Sequence, residues 1–134
     1  MLFREYYPEI QVNLLATDID SQVIELAKQG FYKEKSLKEL PIVYKQKYFT
    51  KDRDLYKIDP KIRPSISFKK HNLLKDQYPK EIDLILCRNV LTYFTNKSKD
   101  LIYSKFSQAL SQKGILFVGS TEHILNQRNI IYYY

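Results

Sequence analysis

Ile82-Asp-Leu-Ile-Leu-Cys87-Arg88-Asn89-Val-Leu-Thr-Tyr93-Phe94 is an apolar run of strand length that stops at a polar cluster. Asn13-Leu-Leu-Ala-Thr-Asp18-Ile-Asp20 has the same form. In an open parallel α/β sheet, ligands bind just beyond the carboxyl ends of the strands. Polar residues closing two buried strands therefore predict two walls of one cofactor crevice. A glycine-rich loop after an opening strand would form a third wall. The three glycines of the chain, Gly30, Gly114 and Gly119, do not lie in such a loop.

Outward from these two strands, the pattern alternates between strand and helix. Residues 2–8 read as the end of a helix stopped by Pro8, and residues 11–17 as a buried strand. Asp20 or Ser21 can cap a helix with Val23, Ile24 and Ala27 on its inner face and Gly30 at its C-terminal stop. Ser36-Leu-Lys-Glu-Leu40 is a short amphipathic stretch before Pro41. Residues 44–70 are irregular; Tyr48-Phe49 and Leu55-Tyr56-Lys57-Ile58 flank a polar Thr50–Asp54 and suggest a hairpin. Ser65-Ile-Ser-Phe-Lys-Lys-His-Asn72 alternates as a strand does. Thr95 or Asn96 can cap a long helix carrying Leu101, Ile102, Phe106, Ala109 and Leu110, with Gly114 as its end. Ile115–Val118 is then a buried strand, and Asn129–Tyr134 a closing one. This βα alternation predicts a parallel sheet with helices on its faces.

With 134 residues, 44% hydrophobic and 28% charged, the chain has the length and composition of one globular domain. No apolar run reaches membrane-spanning length, so membrane insertion is not expected. The single cysteine, Cys87, excludes an internal disulfide and suits a reducing cytoplasm. With only His71 and His123 beside it, a metal site is not expected. The net charge of +7 favours acidic partners. The 22 Lys and Arg are scattered, however, so solvated faces are the reading of these charges rather than a nucleic-acid footprint.

At the level of whole segments, the chain resembles the CheR family of chemotaxis protein methyltransferases. The resemblance rests on Ala16-Thr-Asp-Ile-Asp20 with Ala27-Lys-Gln-Gly-Phe-Tyr32, then Asn72-Leu-Leu74, then Asp83–Phe94, then Gly114-Ile-Leu-Phe-Val-Gly-Ser-Thr-Glu122. The Cys-Arg-Asn-Val-Leu-Thr-Tyr-Phe string is the most specific of these. The resemblance implies a Rossmann-like α/β fold, methyl transfer from S-adenosylmethionine and, as substrate, glutamate side chains in the cytoplasmic region of chemoreceptors. It also implies that residues 1–134 match the C-terminal part of the catalytic domain, without the N-terminal helical domain and the glycine-rich loop. The family's first strand, which lies between the strands ending at Asp18 and Cys87, would then be missing. Those two strands would either pair directly or keep open edges that invite association.

The same resemblance assigns roles. Asp18 stands where a Rossmann-type fold places a carboxylate on the two ribose hydroxyls; the alternative is a helix cap. Asn72 and Leu73 would line the adenine pocket, although Asn-Leu-Leu by itself reads as a turn. Cys87 would be a small buried wall residue next to the cofactor rather than a nucleophile, since methyl transfer needs no thiolate. Arg88 can hold a carboxylate of cofactor or substrate, or form a structural ion pair. Tyr93 matches a family tyrosine near the transferring methyl. The segment 44–70 falls where the family inserts a small β-subdomain, which in some members docks the receptor's C-terminal tail. Its Lys51, Arg53, Lys57, Lys61 and Arg63 would suit an acidic strand; a hairpin that only shields the sheet is the alternative. Two other readings of the whole chain stand beside the enzyme: a non-catalytic methyltransferase-like relic or interaction module, and a basic nucleic-acid module.

Overall fold

The computed structural model describes residues 1–119, apart from the side chains of residues 63–65. The expected closing strand Asn129–Tyr134 and the end of the Gly114–Glu122 motif lie outside them. The chain divides into two compact units, Met1–His71 and Asn72 onward, each considered by itself.

In the first unit, helix α1 (Leu2–Tyr6) precedes strand β1 (Leu14–Asp18) and helix α2 (Ser21–Gln29). Asp20 is the residue that caps α2: its carboxylate accepts the Gln22 N–H. Gly30 closes the helix at φ 73°, a left-handed conformation that costs glycine nothing. Ile24 is buried, but Val23 is 44% exposed, so the inner face of α2 is narrower than its apolar residues suggest. Strand β1 pairs in parallel with β5 (Ile66–Lys70), Leu14 opposite Ile66 and Asp18 opposite Lys70. Leu14 and Leu15 stay exposed, where the sequence predicts a buried strand.

Between α2 and β5 the chain is more ordered than its composition implies. Strand β2 (Phe31–Lys33), a 3-10 turn (Glu34–Leu37), helix α3 (Ile42–Tyr48) and strands β3 (Phe49–Asp52) and β4 (Leu55–Ile58) follow in turn. The expected hairpin is β3–β4, with Arg53 at φ 53° in its turn. It is completed by β2 on the other side of β4, giving an antiparallel sheet of order β2-β4-β3. Tyr48, Ile58 and Ile62 form its core, with Tyr32, Phe49 and Ile66 packed around them. Helix α1 is fastened to α3 by polar contacts: Lys47 and the Tyr48 hydroxyl both reach Glu5, and the Tyr6 and Tyr44 hydroxyls lie 2.8 Å apart.

The second unit is built on strand β6 (Ile82–Cys87), helix α4 (Asn96–Ala109) and strand β7 (Leu110–Val118). Thr95 caps α4, accepting the Ser98 N–H. The helix ends at Ala109, five residues before Gly114, and the chain goes straight into β7. Gly114 is therefore a strand residue and not the helix stop. A Cβ there would lie 2.6 Å from the Ile82 carbonyl oxygen and 2.9 Å from the Leu110 side chain. Close approach of two strands requires the glycine. Strands β6 and β7 run parallel, with a register shift between Ile82 and Leu84. Cys87, Leu91, Ile102, Tyr103, Phe106 and Leu116 form one buried cluster. Leu101, expected inside, is 48% exposed. Leu84, Leu86 and Phe117 are exposed as well, so one face of this pair is packed and the other is open.

Both two-stranded sheets have the parallel pairing the sequence predicts for a Rossmann-like α/β fold. Among the described residues, β1 pairs only with β5 and β6 only with β7. The exposed Leu14 and Leu15 on β1 and Leu84 and Leu86 on β6 mark sheet faces that nothing in their own unit covers among the described residues.

Candidate functional site

Asp18 closes β1, and the chain turns at once into α2. Its Oδ1 accepts the Asp20 N–H at 2.9 Å, while Asp20 accepts from Gln22 at 2.8 Å. The two carboxylates of Asp-Ile-Asp thus divide the work: Asp20 caps the helix, and Asp18 braces the strand-to-helix turn. A carboxylate has about four acceptor positions, so one bond leaves Asp18 able to accept more. The Asp18 carbonyl also accepts the N–H of His71, a buried residue just past the end of β5.

In the second unit, Asn72 opens a tight turn. Its Oδ1 accepts the N–H groups of Leu74 and Lys75 at 2.9 and 3.2 Å, and its own N–H donates to the Asp76 carboxylate at 2.9 Å. The turn reading of Asn72 is therefore physically present, and the side-chain NH₂ is the part of the amide it does not use. Leu73 and Leu74 pack against the cluster that contains Cys87. The Tyr78 hydroxyl donates to the Leu73 carbonyl at 2.9 Å, and its ring meets Phe106 edge-on at 5.6 Å. Burial pushes the Tyr78 phenol well above its ordinary range, and charge on Cys87 adds to that. From α4, Lys105 Nζ donates to the carbonyls of Leu74 and Asp76 at 2.7 and 3.1 Å. Neither Tyr78 nor Lys105 is marked by any motif in the sequence; a tyrosine among twelve and a lysine on a helix carry no local signal.

At the end of β6, Cys87 is buried within the cluster. Arg88 follows on the exposed side, with its guanidinium 6.0 Å from the centre of the Phe117 ring. Among the described residues it makes no ion pair. Asn89, at φ 58°, takes the left-handed conformation that turns the chain sharply. Val90 leads into a 3-10 turn (Leu91–Tyr93). Leu91 is fully buried and anchors the turn, whereas Tyr93 is 88% exposed. The structure thus groups Asn72, Leu73, Cys87, Arg88 and Tyr93 in the second unit and holds Asp18 in the first.

The family model described as "CheR methyltransferase, SAM binding domain" matches residues 1–133. The chain belongs to the CheR methyltransferase family. It is similar to the "Chemotaxis protein methyltransferase" of Listeria monocytogenes, 43% identical over 114 residues, which are 85% of this chain and 44% of that protein. The protein of that name from Borreliella burgdorferi is 34% identical over 139 residues, covering 98% of the chain and 49% of the relative. The one from Salmonella typhimurium is 34% identical over 119 residues, covering 84% and 41%. The chain therefore spans less than half the length of these CheR relatives.

A SAM-binding domain of the CheR family implies S-adenosylmethionine as the methyl donor. Each unit, taken by itself, leaves its candidate residues groups to offer: Asp18 Oδ1 accepts one N–H, the Asn72 side-chain NH₂ makes no bond among the described residues, and Leu73 packs against the cluster that contains Cys87. None of the described helices is long and apolar enough to cross a membrane.

Proposed function

We propose that this chain is the C-terminal part of the catalytic domain of a protein-glutamate O-methyltransferase. It would act on glutamate side chains in the cytoplasmic region of chemoreceptors, with S-adenosylmethionine as the methyl donor. Membership of the CheR family over nearly the whole chain carries this reading, since the relatives are named chemotaxis protein methyltransferases.

In this proposal Asp18 accepts both ribose hydroxyls, Asn72 and Leu73 meet the adenine, and Cys87 with Arg88 forms the adjoining wall. When bound, S-adenosylmethionine supplies a methyl on a positively charged sulfur. A substrate glutamate has an ordinary pKa of about 4.3 and is already an anion at neutral pH. One of its oxygens forms the new bond to the methyl carbon, and the sulfur keeps the electron pair of the bond that breaks. Both charges disappear, so no general base is needed and none is assigned. The task left to the protein is alignment and exclusion of water. Tyr93 would steer the incoming carboxylate with its hydroxyl, and Arg88 would hold a carboxylate bidentately.

Calorimetry with S-adenosylhomocysteine tests this. On this reading residues 1–134 alone would supply adenosine contacts but no assigned group for the amino-acid end, so binding should be far weaker than that of a full-length relative. Supplying the N-terminal part of a relative in trans should restore it, and Asp18→Ala should abolish the recovery. Full recovery with Asp18→Ala would remove Asp18 from the site.

The β2-β4-β3 sheet is the proposed receptor-docking element. Strand β3 is an edge, and Lys51, Arg53, Lys57 and Lys61 are exposed on and around the hairpin. An acidic strand added to this edge would gain main-chain hydrogen bonds and favourable charge. A variant with Lys51→Glu and Arg53→Glu should lose receptor-tail binding in a pull-down. Unchanged binding would leave the hairpin a shielding role only.

A further inference from the structure

We propose that Lys105 and Tyr78 are positioning residues for adenine recognition, holding the Asn72–Asp76 turn in its binding shape. The inference rests on the adenine reading of Asn72 and Leu73. It goes beyond that reading because neither residue belongs to a motif and neither is assigned a cofactor contact.

The geometry is specific. Three backbone carbonyls of the turn, at Leu73, Leu74 and Asp76, are each taken by a side chain from outside it. Tyr78 takes the first, and Lys105 takes the other two. The two side chains also support each other, with Lys105 Nζ 5.5 Å from the centre of the Tyr78 ring. Tyr78 in turn rests edge-on against Phe106, which is buried. The turn is thereby tied to α4, one helical face of which forms the core of the unit. Asn72 spends Oδ1 and its own N–H inside the turn, so the direction of its free amide depends on the shape of the backbone around it. A turn of this length without outside ties would sample several shapes, and an adenine edge needs one. Lys105 bonds are charge-assisted and the stronger part of the clamp. The raised Tyr78 phenol remains a donor throughout the working range of pH.

Titration of the full chain with adenosine, read by ligand-detected NMR, tests the clamp on the part of the cofactor it concerns. Lys105→Met keeps the length and apolar stem but removes both bonds; it should weaken adenosine binding roughly tenfold. Lys105→Arg should restore most of that loss because it can donate to both carbonyls. Lys97→Met, an exposed charge removed from the same helix, should change nothing. Far-UV circular dichroism on the same samples reports whether the fold is intact. If Asn72→Ala weakens adenosine and Lys105→Met does not, the clamp is refuted and the adenine reading survives. If neither does, or if the unaltered chain shows no adenosine binding even with the N-terminal part of a relative supplied in trans, both fall together. A loss in Lys105→Met that arginine fails to rescue, or that tracks unfolding, also overturns the proposal.

Discussion

Replacing Gly114 by alanine distinguishes the two places this residue could hold. A Cβ built at Gly114 meets the Ile82 backbone oxygen at 2.6 Å and the Leu110 side chain at 2.9 Å. The leucine can rotate away, but the carbonyl belongs to the first residue of β6 and can move only with the strand. Overpacking of this kind costs about 1–3 kcal/mol. Alanine also narrows the unfolded ensemble, which returns about 0.4–1 kcal/mol where the backbone conformation permits a side chain. The net expectation is a loss of about 1–2 kcal/mol. With a denaturant slope of about 1–3 kcal/mol per molar urea, the unfolding midpoint should drop by roughly 0.3 to 2 molar. Gly114→Asn is the informative companion. If Gly114 were a left-handed helix stop, asparagine would be tolerated much better than alanine. In the strand, both add the same Cβ and both should destabilise. Leu110→Ala added to Gly114→Ala should leave most of the loss in place, because the backbone contact remains. A midpoint for Gly114→Ala equal to that of the unaltered chain would refute the close approach of β6 and β7. Asparagine retained while alanine is not would restore the helix-stop reading.

Asp20→Ala removes the cap of α2 and should cost about 1 kcal/mol of stability by urea denaturation. Asp18→Ala should cost less, and its main effect belongs in the cofactor titration. Leu91→Ala, at a fully buried position in the second unit's core, should cost about 2–5 kcal/mol. Leu86→Ser, 67% exposed, should stay within about 0.5 kcal/mol of the parent while reducing concentration-dependent association in sedimentation velocity. A large loss of stability there would mean that Leu86 is covered. The Tyr78 phenol has a higher pKa in the fold than in the unfolded chain, chiefly through burial. Its contribution to stability is therefore complete below the unfolded value of about 10 and declines as pH rises above it. Tyr78→Phe should flatten that alkaline decline, and an unchanged profile would argue against a buried phenol.

The sequence by itself determined the elements whose causes are local. The caps of α2 and α4, each narrowed by the sequence to two adjacent residues, the Gly30 stop and the β3–β4 hairpin depend on residues within a few positions of each other, and each lies where its motif placed it. The parallel pairing of the apolar strands was legible for a similar reason, since runs separated by a helix cannot form a hairpin. Candidate site residues stood out because polar groups closing an apolar strand are conspicuous in one dimension. Tertiary structure alone decided what depends on distant partners. Gly114 looked like a helix end because glycine usually ends helices; only the approach of Ile82, 32 positions away in sequence, makes it a strand residue. Val23 and Leu101 have the right spacing for a core but face no neighbour that would bury them. Lys105 reaches Leu74 across 31 positions and Tyr78 reaches Leu73 across five, and both bonds end on backbone carbonyls. A carbonyl is the same at every residue, so a bond to it leaves no mark in the sequence.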